Sequence, residues 1–224
     1  MDNSNRRMEP IDQEVPVDLL AELTARRALC IVRAPAIPDP VGLARTLVDA
    51  GLPIVEFALT TPDAPRLIER ASTVDGLILG AGTVMSAADA RDAISAGARF
   101  LLTPGLRPEV AAEAARQHVP VVLGAMTPTE VAAAVDLGAT AVKVFPAARL
   151  GPAYFGDLHG PYPDVPLVAT GGLTTDNAAD FLAGGALAVT AGSGVVGPAL
   201  AAESRFDEIA ERARGFVAAV GTTR

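Results

Sequence analysis

A pattern recurs roughly every 20–25 residues along this chain of 224: an alanine-rich amphipathic helix, a glycine turn, then a short apolar strand. The spacing predicts strands over Leu29–Arg33, Pro53–Leu59, Gly76–Gly80, Arg99–Leu102, Pro120–Leu123, Ala141–Phe145, Pro166–Ala169 and Ala186–Thr190. Helices are expected over Val41–Ala50, Ala64–Ala71, Ala87–Ala96, Pro108–Gln117, Pro128–Leu137 and Thr175–Ala183. The dipeptides Ala50-Gly51, Ala96-Gly97, Leu137-Gly138 and Gly184-Gly185 mark their C-terminal caps. Eight strands alternating with helices leave two architectures, a closed (β/α)8 barrel or an open doubly wound sheet. A dinucleotide-type sheet wants Gly-x-Gly-x-x-Gly after its first strand, and Ala34-Pro35-Ala36-Ile37 stands there instead. The α/β fold expected is therefore a (β/α)8 TIM barrel, with an extra N-terminal helix and a last helix, Arg205 to Val220, on the outside.

Composition agrees and narrows the function. Hydrophobic residues make up 50% but aromatics only 4%, which suits parallel strands buried on both faces by small aliphatic side chains. Residues 17–224 read as one barrel domain, and the polar segment 1–16 as a mobile tail rather than a signal peptide. No apolar run approaches the ~18 residues that span a bilayer, so no membrane role is expected. Net charge is −8 and no basic run is interleaved with aromatics, which argues against nucleic acid. The single cysteine, Cys30, can form no internal disulfide and fits a reduced, cytoplasmic setting.

A barrel of this kind places its chemistry at the C-terminal ends of the strands, and the unusual residues collect there. The first strand ends at Arg33, and the second carries Glu56 into Thr60-Thr61. The third ends near Gly80-Ala81-Gly82-Thr83, the fourth in Thr103-Pro104-Gly105. The sixth carries Lys143-Val144-Phe145-Pro146, the seventh ends in Thr170-Gly171-Gly172, the eighth in Ala191-Gly192-Ser193-Gly194. The helix-to-strand ends hold only Ala-Gly and Pro.

Lys143 is the only lysine; arginine supplies the rest of the 18 basic residues. A buried ammonium costs several kcal/mol unless it is paired or loses its proton, and a neutral amine in a protected pocket attacks carbonyl carbon. The alternative is a strand-end lysine that snorkels to water. Alternation puts Ala141 and Phe145 on the face of Lys143, with Val142 and Val144 turned toward the helices. Glu56 is the second charge in an otherwise apolar strand, and faces Lys143 either as ion-pair partner or as general base.

Gly171-Gly172 and Gly192-Ser193-Gly194 follow the two strands where barrels commonly bind phosphate. Backbone N–H groups bared by glycine before a helix would form an anion nest there, although glycine at a tight turn needs no ligand. Arg33 offers a fork-shaped cation for a carboxylate or phosphate, or else flanks a surface loop. His118 and His159 are far apart beside loop prolines and read as structural or solvent-facing, so no metal site is expected. Asp49, Asp136 and Glu130 read as solvated helix faces.

Together these residues resemble the class I aldolases acting on 2-keto-3-deoxy-6-phosphogluconate (KDPG) and 4-hydroxy-2-oxoglutarate (KHG). The resemblance runs from about Ala28 to Val217, a full domain's length by the usual reckoning. It is carried by Val55-Glu56-Phe57, Gly80-Ala81-Gly82-Thr83-Val84, Thr103-Pro104-Gly105-Leu106, Val142-Lys143-Val144-Phe145-Pro146-Ala147, Thr170-Gly171-Gly172-Leu173 and Gly192-Ser193. It implies a homotrimer of (β/α)8 barrels working on a small 2-keto acid with no metal or cofactor. Lys143 matches the Schiff-base lysine and Glu56 the general base. Thr83, Pro104 and Phe145 match substrate contacts, and Gly171, Gly172 and Ser193, with Gly192 beside it, the phosphate site. Thr60, expected at the substrate with one hydrogen bond to donate, departs from the pattern, standing where phosphogluconate-type enzymes carry a carboxylate-binding arginine. Threonine cannot replace a bidentate contact, and Arg33, placed as in galactonate-type relatives, is expected to take that role. The competing readings are a 2-keto-3-deoxy-6-phosphogalactonate-type aldolase, a phosphate-binding barrel isomerase or synthase, and a catalytically degenerate trimer kept as a scaffold.

Overall fold

The computed structural model describes residues 17–221, and the tail expected over 1–16 lies outside them. Helix α1 (Leu19–Arg26) precedes eight strands: β1 (Ala28–Val32), β2 (Ile54–Ala58), β3 (Ile78–Gly82), β4 (Leu101–Leu102), β5 (Val121–Ala125), β6 (Ala141–Val144), β7 (Leu167–Ala169) and β8 (Ala188–Ala191). All neighbouring strands are parallel and the ring closes through β1 and β8, giving the expected (β/α)8 barrel. Between the strands lie α2 (Pro40–Asp49), α3 (Ala64–Ala71), α4 (Ala87–Ser95), α5 (Pro108–Arg116) and α6 (Pro128–Asp136). The short helices α7 (Ala147–Leu150) and α8 (Ala153–His159) follow β6, α9 (Ala178–Ala183) follows β7, and α10 (Pro198–Ala202) and α11 (Phe206–Val220) close the chain.

Most elements differ from the sequence pattern by a residue or two at their ends, and three of the shifts have a clear local cause. Strand β3 starts after Gly76, whose φ of +77° belongs to a turn. Strand β8 starts only after Gly185, at φ +113°. Helix α9 begins at Ala178, not Thr175, because Thr174 to Asn177 form a side-chain-closed turn: the Thr174 amide donates to Asn177 Oδ1 at 2.8 Å, and Asn177 Nδ2 donates to the Gly172 carbonyl at 3.1 Å. The helices α7, α8 and α10 are too short to leave a periodic signal.

The core has two parts. Outward side chains of the strands, such as Val55, Phe57, Val142 and Val144, pack against the apolar faces of the surrounding helices. Inward side chains Leu29, Ile54, Ile78, Phe100, Val122, Ala141, Val168 and Ala188 fill the lower barrel, and Leu19 and Leu23 of α1 plug its floor. The N-terminal helix thus seals the end opposite the candidate site. At the C-terminal end of β5, Glu130 is more than a solvated helix residue. Its carboxylate accepts from the amides of Met126 (2.7 Å) and Thr127 (2.8 Å), while the Glu130 amide donates to Thr127 Oγ1 at 3.3 Å. This capping box starts α6 directly after the strand. Those amides hold the Glu130 carboxyl below its ordinary range, so its contribution is present at neutral pH and lost as pH falls through the depressed value.

Thr127→Ala is therefore expected to cost about 1 kcal/mol in a urea or thermal unfolding experiment at neutral pH. An unchanged midpoint at pH 7 would contradict this account of the cap.

Candidate active site

Two strands of the barrel carry a buried charge. Glu56 is 1% exposed and Lys143 6%. The register fixes their relation. Lys143 lies level with Val168 and Val168 with Ala188, while Thr190 lies level with Leu29 and Glu56 with Gly80. In a tilted barrel, crossing two strands and advancing two residues keeps the same height. From Glu56 that walk meets Leu102, Lys143 and Thr190 and returns to Glu56. These four form one layer, with Lys143 and Glu56 on opposite strands. The layer below, from the same strands, is Ile54, Phe100, Ala141 and Ala188 and is wholly apolar.

The layer above is Ile31, Gly82, Gly124 and Thr170, and its two glycines make the room. A Cβ at Gly82 would sit 2.3 Å from Glu56 Oε1, and one at Gly124 would sit 2.4 Å from the Pro104 carbonyl carbon. Glycine there admits the carboxylate and lets the β4 loop fold inward. Buried Thr103 fixes that loop, donating to the Gly105 carbonyl at 2.6 Å and accepting from the Gly124 amide at 3.2 Å.

Above these layers opens a cavity of about 470 Å³ that draws together Arg33, Glu56, Thr83, Pro104, Lys143, Phe145, Gly171, Gly172, Gly192 and Ser193. Arg33 Nη2 donates to Thr83 Oγ1 at 3.0 Å, joining the mouths of β1 and β3. Thr83 holds φ +58°, a left-handed conformation uncommon for a β-branched residue and typical of constrained functional positions. The Phe145 ring centroid lies 5.9 Å from Lys143 Nζ, walling one side of the amine. The half-exposed ring also approaches Gly171, where a Cβ would come within 2.9 Å of it. Gly171 (φ +94°) and Gly172 (φ +79°) are positions that only glycine occupies without strain. No helix begins directly behind the glycine turns, since α9 and α10 start at Ala178 and Pro198. The corner is therefore loop backbone, tied down by the Ala147 and Ala148 amides donating to the Thr170 and Gly171 carbonyls.

Thr60 falls outside this assembly. It is exposed on the turn after β2 and does not line the cavity. Its neighbour Thr61 is buried, and its hydroxyl accepts from the Ala34 amide at 3.4 Å. The cavity also includes Thr170, Leu173 and Gly194, which belong to the strand-end motifs without a role assigned from the sequence, and Ile31, Thr174 and Thr190, which no sequence motif singles out. For Thr190 a signal existed: it shares the inward face of its strand with Ala188. His118 is exposed, and His159 Nε2 lies 3.2 Å from the Val165 carbonyl, away from the cavity.

Electrostatically, Glu56 is the stressed group. Burial pushes its carboxyl above the ordinary range, opposed by the positive charges of Lys143 and then Arg33. Its Oε2 has no hydrogen-bond partner in the protein, and among the described residues no ion pair within 4.0 Å joins it to Lys143. A carboxyl pushed up in this way is poised to take and return a proton. It also weakens the fold: stability is fully present below the unfolded pKa and is lost as pH rises through the raised folded value. Glu56→Gln is accordingly expected to melt above the parent at pH 7, with the advantage vanishing as the pH falls to about 4, near an ordinary glutamate pKa. A variant that melts well below the parent at pH 7 would refute the claim that burial dominates this carboxyl.

The KDPG and KHG aldolase family model matches residues 20–212. The chain is 32% identical over 208 residues to 2-dehydro-3-deoxy-phosphogluconate aldolase of Treponema pallidum, covering 92% of this chain and 99% of that one. It is 32% identical over 180 residues to a probable 2-dehydro-3-deoxy-6-phosphogalactonate aldolase of Rhizobium meliloti, covering 79% and 85%. Its fold matches that of KDPG aldolase from Legionella pneumophila, solved with pyruvate captured as a covalent carbinolamine, with a TM-score of 0.82 and 26% identity over 89% of this chain and 98% of the other.

Proposed function

The chain belongs to the KDPG and KHG aldolase family and is a carbon–carbon lyase, and we propose that it cleaves a 2-keto-3-deoxy acid to pyruvate and an aldehyde through a Schiff base on Lys143. One observation carries the reading: the only lysine of the chain is buried in one barrel layer opposite the only buried carboxylate that lines the cavity. The carbinolamine captured in the Legionella relative supports the same chemistry.

The steps follow from the groups at hand. Lys143, as the free amine, attacks the C2 ketone and water is lost to give the protonated imine. The imine draws the electrons of the C3–C4 bond, so no other electron sink is required. Glu56 takes the proton of the C4 hydroxyl through a water molecule, and the bond breaks to an aldehyde and an enamine of pyruvate. Glu56 returns the proton to C3, and hydrolysis frees pyruvate and Lys143. Phe145 shields the amine from bulk water, and Arg33, placed by Thr83, holds the carboxylate beside C2 against a chain whose net charge is −8. Gly171, Gly172, Gly192 and Ser193 receive the distal phosphate. KDPG and KHG are the substrates proposed first.

A phosphogalactonate-type substrate is the second reading, favoured by Arg33 at the cavity mouth, by Thr60 turned away from it, and by the Rhizobium relative. Membership of an aldolase family leaves no support for the isomerase or synthase alternative. The reading includes a cytoplasmic homotrimer, with the exposed apolar side chains Met85, Met126 and Val135 available for contact between copies.

Incubation with pyruvate and borohydride is expected to add one reduced pyruvate to Lys143 and abolish activity, and Lys143→Arg to lose at least ~10³-fold in kcat because guanidinium is never a neutral nucleophile. An unchanged intact mass, or label confined to the N-terminal amine, would reject the Schiff base. For the phosphate corner, Ser193→Asp is expected to raise KM for KDPG at least about tenfold while changing that for the shorter, unphosphorylated KHG little. Equal effects on both would remove Ser193 from a phosphate site.

A further inference from the structure

The Glu56–Lys143 layer has a third polar member that the mechanism above does not use. Thr190 is 2% exposed, points inward from β8 and lines the cavity. In the register it stands between the two charges on the ring, two strands from Lys143 on one side and two from Glu56 on the other. The fourth member, Leu102, occupies the opposite interval and is apolar. Layers of such barrels are mostly branched aliphatics, and valine would fill the space of Thr190 without a hydroxyl that is costly to bury unbonded. Beside it in the layer, two strands away, Glu56 Oε2 is buried with no partner in the protein, and among the described residues Glu56 forms no ion pair with Lys143. The space between is bounded by the carboxylate oxygen, the Thr190 hydroxyl and the Ile31 side chain of β1, with Thr170 on the other side of Thr190 toward Lys143; a water needs two to four polar partners.

We propose that Thr190 is a positioning residue for the lyase reaction, its hydroxyl holding the water through which Glu56 moves the proton. This rests on the reading of Lys143 and Glu56 as nucleophile and base. In cleavage the C4 hydroxyl proton passes to that water while the water passes one to Glu56 Oε2. The C3–C4 electron pair moves to C3 and into the imine, and the C4–O bond becomes the aldehyde carbonyl. Thr190 keeps its own proton throughout and fixes only the place and orientation of the water. Its removal therefore slows the steps that use Glu56 and leaves carbonyl attack by Lys143 untouched.

The test is a double-mutant cycle of Thr190→Val and Glu56→Gln. For each variant one measures KHG cleavage, the loss of C3 protons from pyruvate in D2O and the extent of borohydride capture at Lys143. Thr190→Val is expected to lower kcat and C3 exchange about tenfold, the worth of one hydrogen bond, with KM and capture within about twofold of the parent. In the Glu56→Gln background the same change is expected to cost less than about twofold, and Thr190→Ser to restore the parent rate. Thr190→Ala serves as a second hydroxyl-free variant should the valine protein fail to fold. Overturning results are a full tenfold cost in the Glu56→Gln background, an unchanged kcat for both hydroxyl-free variants, or a loss of capture matching the loss of cleavage. Absence of capture in the parent protein would instead strike down the Schiff-base reading itself.

Discussion

Lys143 and Glu56 occupy opposite strands of one barrel layer, and the rest of the structure is arranged around the burial of both charges there. Moving either charge from water into an apolar interior costs several kcal/mol, and mutual attraction recovers that only in good geometry. The pair is not in contact, and the carboxyl is pushed up accordingly. A fold that tolerates this arrangement draws its stability from elsewhere. The apolar layers beneath, the plug formed by Leu19 and Leu23, and the shell of Val, Leu and Ala against the helices supply it.

The same constraint explains where the glycines fall. Gly82 and Gly124 interrupt the layer above the charges, where side chains would collide with Glu56 and the β4 loop. Gly171 and Gly172 turn the chain past Phe145 and Ala148 with positive φ. Thr103, the Arg33–Thr83 bond and the Ala147 and Ala148 amides then hold the surrounding loops. On the proposed reading, rigid strand ends carry the reacting groups and backbone-tied loops carry the binding groups, which is the division of labour that a barrel allows.

Much of this was legible in the sequence because it is periodic or chemically anomalous. The helix–glycine–strand repeat predicts the closed barrel, and a lone lysine in a β-branched run predicts its own burial. What escaped depends on register or on local hydrogen bonds. Alternation with Ala188 turns Thr190 inward, but only the aligned strands place it in the layer of Lys143. Glu130 looks like any exposed helical glutamate until its carboxylate is seen on the amides of Met126 and Thr127. Position along the chain predicts Thr60 near substrate, yet the turn after β2 directs Thr61 inward and leaves Thr60 exposed. The helix expected behind the glycine turn starts later because Asn177 closes the turn with its own side chain.

The central claim is that Lys143 and Glu56 together convert pyruvate to an enamine and back, and this half-reaction needs no aldehyde and no choice of substrate. The direct measurement is the methyl proton signal of pyruvate followed by NMR in D2O with catalytic amounts of the protein. The account predicts steady loss of that signal with the parent protein and none above background with Lys143→Arg. Exchange that persists in Lys143→Arg, or its absence in the parent, would contradict it.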